Sequence, residues 1–523
     1  MFKHYLLLIL TLFATFICNA ATYTNNIVFI ENNIDNEYFI TPQKTDPRFS
    51  GANVFTKYSN NQLSLGYMGY TGAVPLYNYF DIWLENSPIK MPFIGNRCWR
   101  TYRDCPSDGI QRPEQVLSDG MYRAYMNTHG GEAGIPRAIF SDSFYQYMQH
   151  LPIGSTENFS YFFCYTKNDY NPALGQTCRS VNGRVTEQSF AITKNGHVKL
   201  KSTNALQEIF VDSEGNAVLG LGSKFCEIVG NNVVCKMVDY ELNGESLNVM
   251  RLAMKVDTAT LSFTPTASDI LLSATPTSRT FYYSSPTIAS YLITPGNGGV
   301  YVHFTKSFFK KLIKNNVDLS KSQDLFTFSF TNTAVPQSGF YEFTPSNTII
   351  IKPRDYGISI ISKELVNNPH REGKVGDKEP PLTFDYIVTT NAFRQADRIT
   401  ATVEGPRTTI RGQSYCLFSS KDKKMNVPFS AYLTYTDASG KKVKNRAACD
   451  NVPISIKEAL WTETTWPYPY QLEGNFYRTD LQLTFPMNES TSLFSMEGED
   501  WLGVVEARGY VNVFAEWSGT DIH

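Results

Sequence analysis

The chain is 523 residues long, with a formal net charge of −2 and 42% hydrophobic, 14% aromatic and 18% charged residues. That length suits two to four domains, and the wealth of Phe and Tyr rules out a globally disordered chain. The near-neutral balance also lacks the excess basic charge that a nucleic-acid partner calls for.

Met1–Ala20 has the form of a secretory signal peptide. Lys3 and His4 precede the apolar run Tyr5–Ile17, and Cys18-Asn19-Ala20 sets small residues ahead of Ala21. The run falls short of the roughly 20 residues of a membrane-spanning helix. An exported protein is therefore expected rather than a cytosolic enzyme.

Beyond the signal, most of the chain reads as strands and turns. Ile27–Ile30 is the first strand-like run. Gly66–Trp83 then concentrates Tyr67, Tyr70, Tyr77, Tyr79, Phe80 and Trp83, broken by Gly69, Gly72 and Pro75. Two readings stay open there. One is a core strand with a Gly-rich turn. The other is a contact surface for sugar or protein, with Tyr67, Tyr70 and Tyr77 as candidate receptor-binding residues.

Three segments read as helices. Ser141–Leu151 places Phe144, Tyr147, Met148 and Leu151 on one face, with Ser141 or Ser143 as the cap. Lys306–Asn315 aligns Phe308, Phe309, Leu312 and Ile313. Ser455-Ile456-Lys457-Glu458 has the capping-box pattern and predicts a short helix toward Trp461. Asp212–Asn216 and Asp437–Gly440 predict hairpin turns. Further strands are expected at Thr348–Ile351, Ile358–Ile361, Tyr386–Thr390 and Ala431–Thr436. At the C-terminus Val511, Val513, Ala515 and Trp517 share one face, opposite Tyr510, Asn512, Phe514 and Glu516.

The fold class expected is mostly β with a few short helices. After the signal at 1–20, residues 21–355 form an N-terminal region, either one domain or two sandwiches at 21–200 and 201–355. Residues 356–523 suit a single C-terminal sandwich.

Loss of the signal removes Cys18 from the nine cysteines. The remaining eight fall into four close pairs, Cys98/Cys105, Cys164/Cys178, Cys226/Cys235 and Cys416/Cys449. Short loops close with the least entropy loss, so four local disulfides in an oxidising compartment are expected. The chain has no CxxC and no Cys–His cluster for zinc.

Catalytic motifs are sparse. His129, His150, His197, His303, His370 and His523 are scattered, without HExxH spacing. There is no GxSxG elbow and no phosphate loop, and Gly220-Leu221-Gly222 lacks the third glycine of a dinucleotide site. Paired carboxylates of a glycosidase remain open, although Glu497, Glu499 and Asp500 suit a solvated loop equally well. The basic runs Lys421–Lys424 and Lys441–Lys444 suit exposed edges that discourage strand pairing. No catalytic residue, cofactor or metal is expected.

Longer stretches carry a resemblance. They include Val28–Asn33 (VFIENN), Asp46–Asn53 (DPRFSGAN), Trp83–Pro88 (WLENSP) and Ser141–Ser155 (SDSFYQYMQHLPIGS). Cys235–Val238 (CKMV), Ile349–Ser362 (IIIKPRDYGISIIS) and Ser414–Ser420 (SYCLFSS) follow in the same order. The chain resembles the tip-adhesin family of the E. coli common pilus, or Mat fimbriae, and the four cysteine pairs fall where that family has them.

The resemblance implies immunoglobulin-like sandwiches and a C-terminal pilin-like domain that lacks one strand. It implies a periplasmic chaperone that supplies the strand, an outer-membrane usher, and a major pilin subunit whose extension later replaces the chaperone. It further implies a place at the fimbrial tip, a host-cell or surface receptor, and roles in pilus assembly, host-cell attachment and early biofilm formation. Self-polymerisation, with another copy of this chain as partner, would need a donor segment, and only Ala21–Ile27 precedes the Val28–Asn33 match. The competing expectation is a self-contained secreted β-rich protein, either carbohydrate-binding or a glycoside hydrolase.

Overall fold

The computed structural model describes residues 23–32, 37–42, 51–52, 67–69, 74–97, 106, 110–126, 136–201, 203–245, 247–248, 250–285, 287–315, 317, 325–332, 340–466 and 474–519. The expected signal segment lies outside these residues, as do Cys98, Cys105, Tyr70, His129 and His523. The described chain is mostly β-strand, and its longest helices have nine residues.

In the N-terminal part, the strand Tyr79–Glu85 pairs antiparallel with Thr156–Thr166 and with Gly120–Tyr125. Successive side chains of a strand point to opposite faces. Phe80, Ile82 and Leu84 accordingly enter a core with Met121, Tyr161 and Phe163, while Trp83 joins Phe162, Tyr122 and Tyr170 on the other face. The helix Asp142–His150 buries Phe144, Tyr145 and Met148 in the first core. Ser141 Oγ accepts the Phe144 N–H at 3.2 Å, so Ser141 is the cap rather than Ser143.

An 18-residue strand, Arg184–Lys201, ties this part to the next. Its first half pairs with Thr156–Thr166 and its second half with Asn232–Gly244. The strand Tyr23–Asn32 runs parallel to it from Phe190 to Leu200. Ile27 and Phe29 of that strand enter the N-terminal core, and the alternate residues Val28 and Ile30 enter the middle core. One strand thus supplies two cores through its two faces.

The middle core gathers Phe304, Phe326, Phe328, Phe330 and Phe343 under the helix Lys306–Lys314, which contributes Phe308, Phe309 and Leu312. Thr305 caps that helix. The expected hairpin at Asp212 forms: Asp212 Oδ1 accepts from the Glu214 and Asn216 amides at 3.0 and 2.8 Å, and Gly215 takes φ +83°.

Thr348–Pro353 closes the middle part by pairing parallel with Leu206–Val211. Gly357–Ser362 then opens the C-terminal sheet, whose order continues through Leu382–Ala392, Asn475–Phe485, Ala431–Thr436 and Lys442–Ala447. Two smaller sheets share its core: Ile454–Ser455, Arg398–Glu404 and Tyr510–Glu516 form one, and Arg407–Ile410, Gln413–Ser419 and Asn426–Phe429 the other. Lys442 and Lys444 of the basic run fall on the edge strand Lys442–Ala447.

The expected helix at Ser455–Glu458 is not there. Ile454–Ser455 is a strand paired with Thr400–Ala401, followed by a turn. The Ile456 amide goes to Ile399 O and the Leu460 amide to Thr436 O. Neighbouring strands take the backbone groups that a helix would have used, and so short a segment cannot overcome helix nucleation alone.

Candidate functional site

The C-terminal sandwich ends on an open edge. Tyr510–Glu516 pairs with Arg398–Glu404 on one side and stands last in its sheet. Among the described residues no strand pairs with its other side. Gly357–Ser362, the first strand of the domain, also stands last in its sheet. These two strands lie next to each other without sharing a ladder, and the rings of Tyr356 and Trp517 meet edge-on at 5.5 Å.

The side chains along this seam are half covered. Val511, Val513, Ala515 and Trp517 turn toward the core but stay only partly buried, as do Ile358 and Ile360. Ile399, Ala401 and Val403 on the neighbouring paired strand are fully buried. An added strand would bring main-chain partners to the open edge and apolar side chains to the half-covered seam.

A second feature lies on the outer face of the N-terminal sheet. Trp83 stacks on Phe162 at 5.3 Å, with the Arg179 guanidinium 5.0 Å above the Trp83 ring. The Cys164–Cys178 disulfide closes the neighbouring loop onto this face. Asp81, wholly buried, holds the arrangement: Oδ1 accepts from the Arg123 amide at 2.8 Å and from the Tyr170 hydroxyl, and Oδ2 accepts from the Cys178 amide at 2.7 Å. Burial raises the Asp81 pKa, against the hydrogen bonds that favour its charged form.

The Asp81–Arg123 bond sits at a β-bulge. The ladder shifts register between Phe80 and Ile82, and Arg123 takes φ +53°. A bulge re-aims a side chain. Here the Arg123 guanidinium lies 4.6 Å over the Tyr79 ring and binds Asp169 at 2.7 Å, with Glu114 as a second carboxylate partner. Arg123 in turn holds the Asp169 pKa below its ordinary value. Tyr79 meets Tyr125 at 5.0 Å, and Tyr125 is 39% exposed.

The tyrosines named from the sequence separate. Tyr77 stands 54% exposed, its amide bonded to Met126 O at 2.7 Å and its φ at +62°. Tyr67 pairs by its backbone with Ile139 in another sheet, and its side chain lies outside the described residues, as does all of Tyr70. Phe80 and Trp83 take the core reading. Sequence reasoning missed Tyr125, Arg123 and Asp169, because only the bulge and the disulfide loop bring them to Tyr79.

Among the described residues three disulfides are present, Cys164–Cys178, Cys226–Cys235 and Cys416–Cys449. The last links Gln413–Ser419 to the chain just beyond Lys442–Ala447 inside the C-terminal core. His197 and His303 are buried, and the latter bonds Ser273 Oγ at 2.7 Å.

Comparison with known proteins spans nearly the whole chain. The family model for the E. coli common pilus adhesin EcpD N-terminal domain matches residues 17–198, that for the middle domain 202–348, and that for the EcpD C-terminal domain 355–515. The chain is 36% identical over 512 residues to the Fimbria adhesin EcpD of E. coli strain K12, covering 94% of this chain and 92% of that protein. The same figures hold for the protein of E. coli O157:H7. Among solved structures, CfaE, the adhesive subunit of CFA/I fimbria of enterotoxigenic E. coli, aligns with 56% of this chain and 73% of its own at 9% identity and a TM-score of 0.19. The CsuC-CsuE chaperone-tip adhesion subunit complex of Acinetobacter baumannii aligns with 60% of this chain and 99% of its own at 8% identity and a TM-score of 0.19. Traces that distant add nothing to the sequence match. By three consecutive domain matches and 36% identity over 94% of its length, the chain belongs to the E. coli common pilus adhesin family.

Proposed function

We propose that this chain is a fimbrial tip adhesin, a binding protein rather than an enzyme, whose C-terminal sandwich is completed by a strand from another polypeptide. The observation that carries the reading is the open edge of Tyr510–Glu516 beside the half-covered residues Val511, Val513 and Ala515. A periplasmic chaperone would fill that edge first, and a pilin subunit would fill it in the fibre after passage through the outer-membrane usher. Main-chain hydrogen bonds supply affinity in such strand addition, and alternate side chains supply specificity.

In this reading residues 21–355 face outward and 356–523 face the fibre. The outward part would meet a host-cell or surface receptor, with Tyr77 as the one named tyrosine whose side chain is described and exposed. Attachment to host cells and early biofilm formation would follow from that placement. The competing secreted hydrolase has no support in the family assignment.

The test is a deletion of this chain in its own fimbriated strain, scored for fibres by electron microscopy and for attachment to epithelial monolayers. The reading expects loss of attachment, restored by the gene in trans. Undiminished attachment by a deletion strain would contradict it.

A further inference from the structure

We propose that the N-terminal and middle parts are built as tension clamps: each begins and ends on adjacent parallel strands, so a pull along the chain shears a whole ladder at once. The proposal rests on the adhesin reading for the source of the tension, with a receptor at one end and the fibre at the other.

The middle part shows the arrangement most plainly. Leu206–Val211 follows directly on the long shared strand, and Thr348–Pro353 is the last strand before the C-terminal sandwich. They pair in parallel over six positions, Leu206 opposite Thr348 and Val211 opposite Pro353. The chain enters at Leu206 and leaves at Pro353, which are opposite ends of the ladder. Tension therefore slides one strand along the other, and the evenly spaced bonds of a parallel pair share the load. Antiparallel strands would have entry and exit at the same end, and their bonds would break one by one.

Both ends of this ladder are pinned. At the entry end the Thr348 amide donates to Ala205 O at 2.8 Å, and Ser346 Oγ accepts the Thr203 amide at 2.8 Å. At the exit end the Arg354 amide donates to Val211 O at 2.7 Å, and the Arg354 side chain binds Asp212. Between them Ile349 and Ile351 sink into the middle core, so sliding would also drag apolar side chains out of their packing.

The N-terminal part repeats the plan. Tyr23–Asn32 runs parallel to Arg184–Lys201, from Tyr23 opposite Phe190 to Asn32 opposite Leu200. A pull between Tyr23 and Lys201 again loads opposite ends, and Glu31 accepts from His197 Nε2 across the two strands. The C-terminal part differs: its first strand, Gly357–Ser362, and its last, Tyr510–Glu516, share no ladder. The parts that face outward thus resist tension alone, whereas the part that faces the fibre needs an added strand.

The experiment pulls the full chain, taken from its chaperone complex, between handles at its two ends in an optical trap. Forced unfolding reads the unfolding rate. The proposal expects a weak first event with the length of the C-terminal part. Two strong events should follow, their lengths matching the stretches Tyr23–Lys201 and Leu206–Pro353. Thr348→Pro removes the amide that bonds Ala205 O, and should speed the middle event under constant load about fivefold or more, the weight of one main-chain hydrogen bond. It should leave the N-terminal event unchanged, and Ser346→Ala tests the same end of the ladder with a milder change. Leu292→Ala, in the buried core but on a different element, should lower the thermal midpoint yet alter the loaded rate less than Thr348→Pro. N-terminal and middle events as weak as the C-terminal one, or equal acceleration by Leu292→Ala and Thr348→Pro, would overturn the clamps and leave the adhesin reading in place. Failure of the adhesin reading would show instead in attachment by the deletion strain, with the pulling record unchanged.

Discussion

Arg354 donates from Nη2 to Asp212 Oδ2 at 2.9 Å, and the two side chains lie almost entirely away from solvent. The bond locks the start of the C-terminal sandwich onto the Asp212 turn of the middle part. Around it Arg354 lies 4.9 Å over the Trp466 ring, and Phe210 meets Phe476 at 5.0 Å. Ser359 donates to the buried Glu208 carboxylate. Apolar and ionic contacts together turn the Pro353–Gly357 connection into a fixed joint.

Arg354→Met should cost about 3–5 kcal/mol in urea unfolding, because it leaves the Asp212 carboxylate buried without its cation. Arg354→Met combined with Asp212→Asn should be less damaging than Arg354→Met alone, since the side-chain oxygen still accepts from the Glu214 and Asn216 amides. A single-variant loss below about 1 kcal/mol would show that the pair is not structurally coupled.

The disulfides should differ in importance in a definite order. Cys416–Cys449 spans 33 positions and Cys226–Cys235 spans nine. Loop-closure entropy gives about 4 kcal/mol for the longer loop and about 3 kcal/mol for the shorter. Paired Ser variants compared by thermal unfolding should lose more from the first than the second. The reverse order would mean that native packing, not the unfolded chain, sets the effect.

A pH dependence follows from His197. Lys194 Nζ, which can only donate, lies 3.2 Å from His197 Nδ1, so Nδ1 accepts and Nε2 donates to Glu31 at 3.0 Å. Burial first, and Lys194 second, push the His197 pKa down to about 4. The unfolded chain therefore binds more protons between about pH 6.5 and pH 4, and stability falls as pH drops through that window. The loss should be on the order of 3 kcal/mol, and His197→Gln, which keeps one donor and one acceptor, should flatten it. A wild-type Tm that is level from pH 7 to pH 4.5 would refute this assignment.

The open edge predicts an asymmetry between the two faces of Tyr510–Glu516. Val513→Asp places a charge on the side turned to the half-covered core and should cut recovery of the chaperone complex severalfold, whereas Phe514→Ser on the outer side should leave most of it. Co-purification from periplasmic extracts reads the difference. Equal effects would mean that this strand is an ordinary edge.

Much of this was legible where side-chain period and backbone preference agree. The period of two at Tyr510–Trp517, the cap and stripe at Ser141–Leu151, and the Asp212 turn all declare themselves within a few residues. Ser455–Glu458 misled because a capping pattern records local preference only, and strands around Ile399 and Thr436 claimed its amides. The Arg354–Asp212 bond, the parallel run of Tyr23–Asn32 along Arg184–Lys201, and the meeting of Arg123 with Tyr79 and Asp169 depend on residues far apart in the chain. No periodicity records those meetings.

The most direct test of the account is the soluble periplasmic yield of the mature chain with and without its co-expressed fimbrial chaperone. The account predicts that folded chain is recovered only with the chaperone, as a co-purifying complex, because the C-terminal sandwich needs a strand from outside. A stable monomer recovered in equal amount without the chaperone would contradict it, since the edge at Tyr510–Glu516 would then need no partner.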